Sequence, residues 1–146
     1  LRRISPKELR IVFAFYSLGL IYLMLFGFGR MADDFKQIQL IPFKTIGDFI
    51  FLQNGFYHFF INIICNIVLF IPFGFLGLIS PKLQSLKWNL IYFWIGLILM
   101  EFLQYITGRG IADVDDFILN SIGVILGNFL MRSKFFQAQI FKFPQD

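Results

Sequence analysis

Between Arg10 and Arg30 the chain runs through nineteen residues, IVFAFYSLGLIYLMLFGFG, without one charged side chain. An apolar helix of roughly 20 residues crosses about 30 Å of hydrocarbon, and lipid offers exposed peptide groups no hydrogen bonds. This run constrains the fold more than any other feature, because it has to be helical and has to be kept from water. Burial in a soluble core does not suit a chain of 146 residues that is 58% hydrophobic and 15% charged. A soluble domain holds about 45–50% apolar and about 25% charged residues. An integral membrane protein is the class that remains. The preceding LRRISPKELR resembles the basic start of a signal peptide. The apolar run is long for such a peptide and no small-x-small cleavage site follows, so the reading is a retained helix.

Three more apolar stretches follow. The spans are expected at about 11–29, 56–79, 88–106 and 116–131, with a basic arm at 1–10 and a tail at 132–146. The fold class is therefore an all-α membrane protein, a bundle of four transmembrane helices. The fourth span is short: sixteen residues reach only about 24 Å, so its acidic end is expected in thinned or water-filled membrane. Nine of the Lys and Arg residues fall on the side of the termini and four on the other. The positive-inside rule places both termini in the cytoplasm. These basic residues flank apolar runs and form no patch for nucleic acid. Cys65 is alone, which excludes an internal disulfide and suits a small packed residue.

Residues 31–55 are apolar but interrupted by Pro42 and Gly47. They are too broken to span and are expected as an interfacial or re-entrant segment between the first two helices.

Polar residues inside the spans fall on stripes. Asn54, His58, Asn62 and Asn66 stand four apart, Glu101 and Gln104 three apart, and Asp113, Asp116 and Asn120 at steps of three and four. Each set shares one helix face. With the termini inside, Asn62 lies roughly 9 Å below the outer surface, Asn66 roughly 15 Å and Glu101 roughly 8 Å, with Asn120 about one turn deep. Three stripes thus meet at one depth. Ionisable groups there face a bundle interior or a water cavity and mark function by default. The same amides can also simply join helices, and a Glu101–Arg109 or Arg109–Asp113 pair can be purely structural. His58 reads as a rim residue. Asp115 is out of phase with Asp113 and Asp116 and reads as a solvated charge. Gly123 and Gly127 form a GxxxG that admits close helix packing. Pro72 should kink the second span, with Gly74 and Gly77 extending a flexible or tightly packed region.

No nucleotide-binding loop, zinc spacing or nucleophile motif is present. Three classes stay open: a binding factor with a polar outer pocket, a membrane enzyme, or a small transporter. In the enzyme reading, a hydrolase or transferase acting on a lipid-linked phosphate, Glu101 is a general base and Asp113 and Asp116 bind a metal. In the binding reading no metal or other cofactor is called for.

The ordered set LIPFKTI (40–46), NIICNIVLFIPFGFLG (62–77) and EFLQYITGRGIADVDDFILNSIGVILG (101–127) resembles the VanZ-like family, membrane proteins named for teicoplanin resistance. The family pattern falls on Asn62 and Asn66; Phe70, Pro72 and Gly74; Glu101 and Gln104; Gly108 and Arg109; Asp113 and Asp116; and Asn120, Gly123 and Gly127. Gln39 stands where the family carries Asn. The resemblance implies a VanZ-like domain over 11–131 in a multi-pass protein of a bacterial cell membrane. It also implies a factor that lowers sensitivity to teicoplanin-type glycopeptides. Expected partners are membrane lipid and a lipid-linked cell-wall precursor or a glycopeptide antibiotic. The expected ligand-binding set is Asn62, Asn66, Glu101, Gln104, Arg109, Asp113, Asp116 and Asn120.

Overall fold

Ser5 starts the first helix. Its hydroxyl accepts from the Glu8 N–H, and the Glu8 carboxylate accepts from the Ser5 N–H at 2.7 Å. This capping box, with Pro6 in the first turn, satisfies donors that an exposed helix start leaves open. Helix α1 therefore runs Pro6–Phe26, starting five residues ahead of the apolar run. The computed structural model describes residues 5–27, 38–51, 60–109 and 112–133, with side chains except at 49–51, 60–62 and 112. After α1 come strand β1 (Ile38–Gln39) and helix α2 (Lys44–Phe51). Next is a broken helix: a π-helical stretch Phe60–Cys65, helix α3 (Asn66–Phe70) and a 3-10 stretch Ile71–Leu78. A 3-10 turn, Pro81–Gln84, leads to α4 (Leu86–Thr107), then β2 (Ala112–Asp113) and α5 (Val114–Arg132).

Three helices, α1, α4 and α5, are long and apolar enough to cross a membrane, and residues 63–78 form a shorter apolar helix. The chain is thus a multi-pass membrane protein by its helices. The fourth run differs from its expected bounds. It begins at Val114, and its nineteen residues give about 28 Å, enough to cross without thinning. Its acids do not shorten the helix. They occupy the first turn, where negative charge is favourable.

The second run is not one regular helix. Pro72 has no N–H to give the Val68 carbonyl, and the Ile71 N–H takes that carbonyl instead. The chain then winds as a 3-10 helix. The sequence expectation of a helix from 56 falls partly on residues outside those described.

Glycines set the packing. A Cβ on Gly123 would strike the Ile67 carbonyl oxygen, and one on Gly127 would strike that of Ile71. A Cβ on Gly74 would strike the backbone of Gly127 and Asn128 in return. The broken helix and α5 therefore meet backbone to backbone, as small residues allow in membranes. Val124 is fully buried at that contact, in a core with Leu20, Phe70, Phe93 and Leu97. Phe70 and Phe93 meet edge to face at 5.5 Å.

Candidate functional site at the hairpin end

Helix α4 ends on a Schellman turn. Gly108 adopts φ 65°, its N–H donates to Tyr105 and the Arg109 N–H donates to Gln104. This turn sends the chain back toward α5 and fixes where Arg109 leaves the helix. The Arg109 guanidinium lies over the Phe26 ring, 4.5 Å from its centre. Two turns of α4 carry Gln104 and Glu101 inward. Gln104 is buried and its Nε2 donates to the Met24 carbonyl at 3.0 Å. The ends of α1 and α4 therefore lie together, and these two helices run in one direction.

On the other side of the turn, Asp113 is the N-cap of α5, accepting from the Asp115 N–H at 2.9 Å. Its second oxygen accepts from the Thr45 hydroxyl at 2.5 Å. Asp115 is fully buried. One oxygen accepts from the Phe43 N–H at 2.6 Å and the other from the Ile46 N–H at 3.0 Å. The expectation of a solvated charge is overturned. The phase argument treated Asp113 as helical, whereas it stands before the helix, and Asp115, one residue into the first turn, reaches back beyond the helix start. Asp115 joins the first turn of α5 to the start of α2, two regions of positive potential that suit a buried carboxylate.

These contacts place residues 38–46 against α5. The parallel pairing of β1 with β2 sets Ile38 opposite Ala112 and Gln39 opposite Asp113. Phe43 has φ 63°, a left-handed backbone unusual for a bulky residue. Its N–H bond to Asp115 holds it there.

Further in, the Asn66 Nδ2 donates to Asp116 Oδ1 at 2.8 Å, so the stripes of the second and fourth runs do meet. Both carboxylate oxygens of Glu101 are inaccessible to solvent, as is the Asn120 side-chain oxygen. The latter has no hydrogen-bond partner among the described residues. The Asn62 side chain, Asn54 and His58 lie outside the described residues. The contact that the described residues give Arg109 is with the Phe26 ring.

The structure brings Asn66 and Asp116 together, and it sets Gln104 against the Met24 carbonyl and Asp113 against Thr45, groups the sequence reading did not name. Asp115, Thr45 and Phe26 carry no periodic signal. The available clue was Asp-x-Asp just ahead of an apolar helix, which reads as a cap followed by a first-turn acid. Among the described residues, no three His, Cys, Asp or Glu side chains are grouped to hold a metal ion.

Neither a curated protein nor a solved structure matches the chain. The sequence profile described as VanZ/LLP1 does match, over residues 13–137. That match covers all of the site just described, and the chain belongs to the VanZ/LLP1 family of membrane proteins.

Proposed function

We propose that the hairpin end faces the outside of a bacterial cell membrane and binds the polar head of an amphiphile. The ligand is a lipid-linked envelope component or an amphiphilic glycopeptide, and binding lowers sensitivity to teicoplanin-type antibiotics. The carrying observation is Arg109. Its guanidinium rests on the Phe26 ring, which orients the plane and leaves its N–H donors for a phosphate or carboxylate. A bidentate, charge-assisted contact of that kind gives both geometry and strength.

In this reading the site's other residues divide by role. Arg109 contacts the ligand, with the buried oxygens of Glu101 and Asn120 behind it. Asn66, Asp116, Gln104 and Asp113 hold the elements that present them. Four crossings put both termini in the cytoplasm, in keeping with the charge bias of the sequence. The shorter run suits a crossing because its 3-10 stretch rises about 2.0 Å per residue, against about 1.5 Å in an α-helix. Leu40, Ile41 and Phe43 are exposed apolar residues beside the site. They anchor the 38–51 segment in the membrane interface.

The test is glycopeptide susceptibility of cells expressing Arg109→Ala, Arg109→Lys and Glu101→Gln at wild-type membrane levels. Arg109→Ala abolishes protection and Arg109→Lys retains part of it, because a point charge replaces a fork. Undiminished protection by Arg109→Ala would overturn the assignment.

A further inference from the structure

Below the polar end, α1, the 3-10 stretch and α4 leave a cavity of about 270 Å³, open along one side. Ile21, Met24, Phe73, Gly96, Leu97 and Met100 are among its walls, and its few polar groups include Ser17 and the Tyr92 hydroxyl, which accepts from Lys82. We propose that this groove takes a single aliphatic chain, the tail of the amphiphile whose head the hairpin end binds; the identity of the head rests on the reading above.

Three observations carry this. The first is size. From Tyr92 to Met100 the groove follows α4 for about 12 Å, which leaves a section of roughly 22 Å². A helix with its side chains is about 10–12 Å across, wider than the groove, and could only lie over its mouth. One extended hydrocarbon chain does fit. An apolar cavity of roughly 150 Å³ already takes up benzene.

The second is Gly96. A glycine inside a helix costs about 1 kcal/mol relative to alanine, and Gly74, Gly123 and Gly127 each repay that with a backbone contact. Gly96 has no such neighbour: a Cβ there would meet nothing within 4 Å. Gly96 is exposed, as Gly19 is, but it lines the groove, so a side chain there would narrow it.

The third is continuity. The Met24 that lines the groove gives its carbonyl to Gln104, and Met100 directly precedes Glu101. The upper end of the groove therefore lies next to the polar residues. A molecule with an anionic head and one chain along this path meets Arg109 and the groove together.

The experiment uses the full chain in phosphatidylcholine nanodiscs, with hexadecyl phosphate carrying a mid-chain diazirine as probe. Photolabelled peptides are mapped and competed with unlabelled hexadecyl phosphate. The expected label falls on residues 20–24 and 96–100, is displaced by competitor, and drops by about tenfold or more in Gly96→Phe. Gly19→Phe places the same bulk on an open, exposed helix face and leaves the labelling unchanged. If Gly96→Phe elutes as aggregate, Gly96→Leu fills the same space with less bulk. Labelling that competitor does not displace, or that a well-folded Gly96→Phe leaves intact, overturns the groove. A hexadecanol probe and Arg109→Ala separate the two readings. Displaceable groove labelling that is equal for both probes and indifferent to Arg109→Ala upholds the chain site while the head assignment fails.

Discussion

Helices α5 and α1 are both apolar and both about 20 residues long, yet the bundle treats them differently. Of the apolar window of α5, 44% is buried by the rest of the chain; of that of α1, 11%. The difference follows from side-chain size. Helix α5 offers Gly123 and Gly127 to a partner that offers Gly74, so backbones touch along a seam. Helix α1 offers bulky side chains and is held at points: the Tyr16 hydroxyl donates to the Leu69 carbonyl at 2.7 Å, and Gln104 and Arg109 hold its far end. In lipid, where apolar residues gain little by leaving one apolar surface for another, the small residues decide which helices fuse. The space between α1 and α4 is what the point-held helix leaves behind.

The largest effect should come from filling the fused seam. Gly127→Val pushes a branched side chain into the Ile71 carbonyl and should cost about 3 kcal/mol or more, read as loss of folded protein in detergent unfolding. A stable Gly127→Val variant would dissolve the contrast between the two halves. Next comes Asp115→Ala, which strips the acceptor from the Phe43 and Ile46 N–H groups. A cost of about 2–4 kcal/mol follows from two buried bonds to a charged group. It should appear as faster hydrogen exchange over residues 38–51 with the α5 seam still protected, so the damage stays local. Uniform loss of protection instead would show that the seam and this segment fold as one unit. The smallest effect belongs to the open half. Gly96→Ala enters empty space and should be neutral or stabilising by up to about 1 kcal/mol. Destabilisation comparable to Gly127→Val would mean that α1 and α4 close on each other.

The long helices were legible because a membrane asks only for length and apolarity, which leave a continuous trace. Both packing glycines on α5 were legible for a similar reason, since small residues four apart have a local pattern. The polar stripes predicted that the second and fourth runs would meet, and Asn66 with Asp116 makes that contact. Helix α5 begins two residues ahead of the expected span because Val114 and Asp115 looked like the end of a loop, although acids belong in a first turn. The broken helix was half legible: Pro72 announced a disturbance but not that the winding would change to 3-10. The pairing of Asp115 with the start of α2, and of Arg109 with Phe26, could not be seen. Each joins segments with no shared period, so nothing local in either one encodes the other.

The Asp115 cap also dictates an order of events during synthesis. Phe43 and the carboxylate that fixes its backbone are 72 residues apart. At about 5–20 residues per second, ribosomes need roughly 4–14 s to bring the second out after the first. Through that interval the 38–46 segment has no α5 to rest on, and the Phe43 and Ile46 N–H groups need another acceptor. The segment closes only when the start of α5 has been made, so its docking reports that the last helix is in place.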